Sequence, residues 1–463
     1  MRIILLFRQG MFYGCFLGLA LLTGSGCNSP KNNTKSQQSR QQNSPDQNQA
    51  GNTPGPSELA KDLSQLMRLA ENQNSQGKFN EALSTWRTIH LKVSQRFGTD
   101  AWQTISAEHA MNAARQRVAM SAKDREQVIE LAKLTSNAAH LIAEQKYHEA
   151  QIDIENAAGI SVRLWGKESY VSANVNFVRA QCYLGLGLHA RAIAVLNDVL
   201  NLRIKLTGVN NPYVEATLAL IATSSSNLKD YAAAQQSLEK LVEISKSLWG
   251  HESALYANRC NDLAVAYHND GKSALALTPF EIAHTIRGKL HGPDSLQVGH
   301  IQLNRGMAFM QVKNYLKSKS ALEDAYRIFH QHKLTKKDSS WPTLLDQLGT
   351  VSLIQNDNRK GQKYFSELTE FWKQRENESH LEYGKSLFKL SVSLGNQKKY
   401  QDAEPKMKQA IAIFESKLGS TNQLLSQPKA TYARLLKKMG INDEPGIIRD
   451  RAVQPASFSE LPN

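Results

Sequence analysis

Four cysteines and thirteen histidines are the side chains here that could attack, ligate or shuttle protons. Their spacing decides what they do. Cys182 and Cys260 fall inside helical text at different repeat positions, so buried free thiols are the expectation. His330 and His332 are the closest histidine pair, with no cysteine or carboxylate cluster at ligand spacing, and read as a solvated loop. No H-E-x-x-H, phosphate-binding glycine loop, C-x-x-C or G-x-S-x-G is present. Gly185-Leu186-Gly187 follows no strand and reads as turn chemistry. The expectation is a chain with no catalytic residue, no metal, no cofactor and no small-molecule substrate. One cysteine remains with chemistry of its own, Cys27.

Residues 1–27 carry Arg2 and Arg8, an apolar stretch from Met11 to Leu22, and then Gly24, Ser25 and Gly26 before Cys27. A basic start, a short apolar stretch and a small-residue end is the layout of a secretory signal. With Gly14 and Gly18 in it, the stretch is short for a hydrocarbon core of about 30 Å. Its end resembles a bacterial lipobox, although Gly24 stands where that pattern usually has Leu. The resemblance implies that the Cys27 thiol is acylated and begins the mature chain. From 28 to 57 there is no aliphatic residue larger than Ala, and Asn, Gln, Ser, Pro and Gly dominate. Such a segment buries too little to offset its ordering entropy, and reads as a disordered tether with a reach on the order of 30 Å.

Lys and Arg number 56 against 42 Asp and Glu, a surplus of 14 that suits acidic partners or anionic headgroups. The basic residues are scattered singly, without the aromatic interleaving of a nucleic-acid surface, so nucleic acid is not expected as a partner.

The elements that would be tethered are repeated. Gly166, Gly208, Gly250 and Gly292 stand 42 residues apart in LWGKES, LTGVNNP, LWGHES and LHGPDS. A second series, Ala138, Ala180, Ala222, Ala264 and Gly306, keeps the step, and Gly349 and Ser391 continue it after a one-residue insertion. A third is Ala150, Ala192, Ala234, Ala276, Ser318, Gly361 and Ala403. Apolar residues between these marks recur at helical spacing, so each unit is two helices, a tight turn and a longer loop. The loop glycines are expected to be left-handed caps, with Ser169, Asn211 and Ser253 as N-caps and Pro212 at a first helical position. Trp165 and Trp249, just before two loop glycines, are expected to pack in the core.

These marks resemble the tetratricopeptide family in its 42-residue, kinesin-light-chain variety. Gly77-Lys78-Phe79-Asn80-Glu81-Ala82 with Trp86 fits that family's turn, as do Tyr147 with Ala150 and Ile154, Tyr231 with Ala234 and Leu238, and Tyr400 with Ala403 and Met407. The turn aromatic is replaced by His189 and Ser273 in two units, and is lost around Asp357 to Gly361. The first two units are 68 residues apart, which leaves room for one extra helix at about Trp102 to Met120. The resemblance implies an all-α, right-handed superhelical solenoid of about eight helix pairs over 58–440, with a capping helix from about Asn422 to Met439 closed by Gly440, and a loose tail at 441–463.

It further implies a concave groove lined by first helices, where proteins or peptide segments bind. The family's groove positions map onto Asn174 and Gln181, onto Asn258, Asn261, His268 and Asn269, onto His300 and Gln311, and onto Asp346, Lys385 and Asn396. Amides suit such a place because they both donate to and accept from a peptide backbone. The expected function is a scaffold binding proteins or peptide segments, lipid-anchored in a bacterial cell envelope and facing the periplasm or the exterior. The alternative is a regulatory or presenting subunit of a larger envelope enzyme or export complex.

Overall fold

The computed structural model describes residues 56–334, 339–375 and 380–441. The signal and Cys27, nearly all of the tether, and the tail after Ile441 lie outside the described residues. Among those described there are 18 α-helices, one short 3-10 turn and no strand. No described helix is long and apolar enough to cross a membrane. Among the described residues the fold is an all-α solenoid of helix pairs in two compact units, divided between His251 and Glu252.

The first unit contains α1 (Pro56–Ser75), α2 (Phe79–Phe97), α3 (Trp102–Ala119), α4 (Ala122–Ala143), α5 (Tyr147–Trp165), α6 (Tyr170–Gly185), α7 (His189–Thr207), α8 (Pro212–Asn227) and α9 (Tyr231–Trp249). Four pairs and one unpaired helix result, and the unpaired helix is α3, at the place the 68-residue spacing predicts. The second unit contains α10 (Ala254–Asn269), α11 (Ser273–His291), α12 (Leu296–Gln311), α13 (Tyr315–Gln331), α14 (Ser340–Ile354), α15 (Asn358–Arg375), α16 (Leu381–Asn396), α17 (Tyr400–Leu418) and the capping helix α18 (Ser426–Lys438). Four more pairs and the cap complete the array, and Gly440 ends it with φ +73°.

The two small-residue series are the contact line within each pair. Ala138, Ala180 and Ala264 on first helices are fully buried, as are Ala150, Ala192 and Ala276 on second helices. In the pair α12 and α13 a Cβ on Gly306 would lie 2.5 Å from Leu322, and the Ser318 hydroxyl donates to the Gly306 carbonyl at 2.8 Å. In the next pair a Cβ on Gly349 would lie 2.4 Å from the Phe365 ring. The larger side chains that close over these lines, among them Leu196, Phe280, Phe329 and Phe365, are buried completely. Each stabilises the fold by about 1.5–3 kcal/mol relative to exposure.

Two kinds of turn alternate, and they differ from expectation. The loop glycines are not left-handed helical caps. Gly166, Gly208, Gly250 and Gly292 have φ between 77° and 87° with ψ between 154° and 171°, a region essentially closed to residues with a Cβ. That geometry, more demanding than a left-handed cap, explains the fixed period. The left-handed position lies instead in the tight turn within each pair, where Gln145, Gly187, Lys229, Gly271, Lys313, Asn356 and Lys398 all have φ of 60–75°. There the paired bonds of a Schellman motif recur, as in Lys229 N–H to Ser226 and Asp230 N–H to Ser225.

The loop N-caps form as predicted. Ser169 accepts from the Ser172 N–H at 3.1 Å, Asn211 from Tyr213 at 2.7 Å, and Ser253 from Tyr256 at 3.1 Å, with Pro212 opening α8. Cys182 and Cys260 are buried thiols outside any disulfide among the described residues. Trp249 is fixed by its indole N–H, which donates to Glu215 at 2.9 Å.

Candidate functional site

In the first unit the predicted groove residues Asn174 and Gln181 are both half-buried on α6. The Asn174 side-chain carbonyl already accepts from Arg203 on α7 at 3.2 Å. Arg203 is 5% exposed and also donates to the Tyr213 carbonyl at 2.9 Å and to the Thr217 hydroxyl at 2.7 Å. Its guanidinium lies over the rings of Phe177, at 4.3 Å, and Tyr213, at 5.5 Å. All of these partners are neutral. Burial lowers its pKa to about 10, still high enough to hold the charge at neutral pH. The cation is thus stabilised by oxygens and ring faces in place of a carboxylate.

The second unit carries the other nine. Asn258, Asn261, His268 and Asn269 lie on α10. The Asn258 carbonyl accepts from Arg287 on α11. The Asn261 side-chain oxygen is buried with no hydrogen-bond partner among the described residues, while its side chain hydrogen-bonds the Asp262 carboxylate. Asp262 is 3.7 Å from Arg259, yet desolvation dominates and raises its pKa. Asn269 is exposed.

His268 and Gln311 are brought together by a residue that breaks the family pattern. Ser273, buried where a turn aromatic would stand, is 2.7 Å from His268 Nδ1 and donates to the Gln311 side-chain carbonyl. In the second pair of the chain the corresponding Tyr147 ring lies against Gly185, at the end of the next first helix. The hydroxyl of Ser273 makes with polar bonds the inter-pair link that Tyr147 makes with its ring. Burial lowers the His268 pKa and a hydrogen bond with Gln311 opposes it.

The remaining predicted residues are dispersed. His300 packs its ring 4.8 Å from that of Phe329. Asp346 on α14 pairs with Lys389 on α16 at 2.5 Å. Lys385 pairs with Glu382 at 2.9 Å, and the Asn396 amide donates to Asn358 at 3.1 Å. Asn269 on α10 presents an exposed amide while the Asn261 oxygen is buried, and the hydrogen-bonded group of His268, Ser273 and Gln311 lies at the C-terminal end of that helix. Among the described residues no group of three or more His, Cys, Asp or Glu could hold a metal.

Sequence reasoning missed Arg203, which reads as one more solvated arginine on a helix. It also left α3 without a partner. His109 on α3 stacks on Tyr170 at 5.7 Å and 10° and bonds the Leu206 carbonyl at 3.0 Å. Trp102 meets Tyr213 edge-on at 6.3 Å, and Arg117 lies over Trp165 at 5.6 Å. The extra helix therefore reaches the start of α6, the end of α7 and the start of α8, two and three pairs further along the chain.

Comparison with known proteins agrees with this architecture. A family model described as tetratricopeptide repeat matches residues 216–248, which span most of α8 and α9. Among solved structures, the apo form of RapI is similar at a TM-score of 0.50 and 13% identity, over 78% of this chain and 98% of that one. The kinesin light chain TPR-like repeats of Podosopora anserina align at 0.41 and 18% identity, over 46% of this chain and 99% of that one. The quorum sensor NprR of B. thuringiensis aligns at 0.46 and 13% identity, over 77% and 93%. At 13% identity the likeness to RapI is one of fold. No curated protein matches significantly in sequence. Residues 216–248 match a tetratricopeptide repeat, and the helix pairs along the rest of the array have the fold of a tetratricopeptide solenoid.

Proposed function

We propose that the chain is a non-catalytic scaffold that binds protein or peptide segments along its first helices and is held in a bacterial envelope by a lipid on Cys27. The observation that carries the binding part is the polar row on α10. Asn269 is exposed there and Asn261 is half-buried, on a fold whose stacked pairs make extended binding surfaces. Amides can bond an extended backbone in either direction, which suits peptide segments of varied sequence. The apolar stretch before Cys27 and the polar segment from 28 to 57 support the anchor and its tether.

The test is expression of the full chain and of Cys27→Ala in a bacterial host with a clickable fatty acid, followed by membrane fractionation and capture of co-purifying proteins. Label and membrane association lost in the variant support the anchor. A wild type that stays unlabelled and soluble removes it. An Asn261→Ala, Asn269→Ala variant that retains every captured partner at wild-type yield removes the α10 surface.

A further inference from the structure

Lysines that lie scattered in the text are gathered by the fold of the second unit onto one edge. In each of its pairs a tight turn joins the two helices, with the left-handed residue at Gly271, Lys313, Asn356 and Lys398. Successive turns are neighbours. Ser273 donates to Gln311, Lys319 pairs with Asp357 at 3.3 Å, and the Gln397 side-chain amide donates to the Asn358 carbonyl at 3.0 Å. The end of α18 continues the line, since Leu435 lies 3.7 Å from where a Cβ on Gly395 would stand.

Charge along this edge is mostly of one sign. Counting from one residue before each left-handed position to five after it, the turns of the first unit at Gly77, Gln145, Gly187 and Lys229 hold four cations and four acids, and the four turns of the second hold seven cations and three acids. Solubility does not require such a surplus, because the same turns in the first unit do without it. Two of the three acids are already engaged, Asp270 with Lys272 at 2.6 Å and Asp357 with Lys319. Six cations, Lys313, Lys317, Arg359, Lys398, Lys437 and Lys438, are exposed and make no ion pair among the described residues. Leu275, Val312, Leu316 and Ile441 stand exposed on the same edge, and Leu316, at 79%, is the most exposed large apolar side chain among the described residues.

Free cations and exposed aliphatic tips together fit the interface of an anionic bilayer, where headgroup phosphates meet the charges and the acyl boundary covers the tips. An acidic protein surface would meet the charges and leave Leu316 uncovered. Five of the six cations are lysines, which suit the diffuse charge of headgroups, whereas a fixed carboxylate is matched best by the arginine fork. Tyr315 and Tyr400, the rings of these turns, pack against the core, so neither is offered to the bases of a nucleic acid. We infer that the tight-turn edge of the second unit rests on a membrane surface of anionic phospholipid, with Leu316 entering the acyl boundary. This contact adds a folded foot to the anchor proposed on Cys27 and does not depend on it.

The experiment sediments the full chain with vesicles of phosphatidylcholine alone and of phosphatidylcholine mixed with phosphatidylglycerol. The readout is the ratio of the two partition coefficients, in which attachment through residues 1–27 is common to wild type and variants and cancels. Wild type should prefer the anionic vesicles by more than about a hundredfold at low salt and lose most of that preference at high salt. Each cation near an anionic surface is worth about fivefold, so Lys313→Gln, Lys317→Gln and Lys398→Gln together should lower the ratio roughly a hundredfold. The fold accommodates these changes, since Gln145 already holds the equivalent turn position at φ 64°. Lys78→Gln, Lys146→Gln and Lys229→Gln, on the turns of the first unit, are the control and should change the ratio less than about threefold. Leu316→Ser should weaken binding to the anionic vesicles about tenfold. A wild type indifferent to phosphatidylglycerol, a triple variant that keeps the wild-type ratio, a control that loses as much, or unchanged binding of Leu316→Ser would each overturn the inference. So would a chain that ignores anionic vesicles and binds poly-glutamate through the same lysines, which would assign the edge to an acidic protein. Attachment to neutral vesicles and the fatty-acid label report on Cys27 separately, so either reading can fail while the other stands.

Discussion

The loop glycine Gly208 offers the sharpest test of why the 42-residue period exists. Its backbone sits at φ 77° and ψ 171°, and a Cβ there would meet no atom within 4 Å. Substitution by Ala therefore adds no clash with a neighbour, and its cost is the backbone conformation alone. That strain is of order 1–3 kcal/mol, reduced by the roughly 0.4–1 kcal/mol that Ala gains from a less flexible unfolded chain. Gly208→Ala should thus lose about 1–2 kcal/mol. Gly208→Asn should lose as much, because Asn tolerates the left-handed helical region and not this one. The turn within the following pair is the control. Lys229 has φ 61° and makes the Schellman bond to Ser226, so Lys229→Gly and Lys229→Asn should each be neutral or stabilising by up to about 1 kcal/mol. Urea unfolding followed by circular dichroism gives the magnitudes, and hydrogen exchange over 189–227 locates them. A Gly208→Asn variant as stable as wild type would refute the conformational argument, and so would a Gly208→Ala change within about 0.5 kcal/mol, the scatter of neutral surface substitutions.

Gly349→Ala places a methyl 2.4 Å from the Phe365 ring and should cost about 1–3 kcal/mol in urea midpoint, with part regained in the double variant with Phe365→Leu. His268 has a pKa lowered by burial, so the fold binds its proton less readily than the unfolded chain does. Its contribution is present above the unfolded pKa of about 6.5 and lost as pH falls below it. His268→Gln should flatten the acid loss of stability measured between pH 7 and 5, leaving the part due to His284 and His291, whose shifts have the same sign. The Cys182 thiol is pushed up to about 11 by burial. In a Cys15→Ala, Cys27→Ala background, an aromatic disulfide reagent at pH 8 should find no reactive thiol in the native protein and two after denaturation.

The legible parts of this fold are those where a backbone or packing demand admits few residue types. The loop conformation at Gly166 and its successors excludes a Cβ, and the contact line through Ala138 and Ala150 excludes bulk, so both wrote a period into the text. The left-handed turns admit Gln145, Lys229 and Lys398 at modest cost, and left no mark to read. The spacing around 102–120 revealed that α3 exists. What it touches was hidden, since His109 meets Leu206 across 97 residues of chain. The first-helix positions could be named from the family pattern. Which of their side chains are already engaged depends on Arg203, Arg287 and Lys389, long side chains from other helices whose reach no local pattern encodes.

The bracing by α3 has a bearing on how the protein comes apart. Where each pair touches only its neighbours, stability is a sum of local terms and an array can fray one pair at a time from an end. Through Trp102, His109 and Arg117, α3 ties the first pair to Tyr213, Tyr170 and Trp165, so residues from α1 to α8 share contacts that must be broken together. The first unit is built to melt as a cooperative block, with native-state exchange rates that converge from α3 to α8. No helix plays that part among the described residues of the second unit, where exchange protection should fall off stepwise from the middle pairs towards α18.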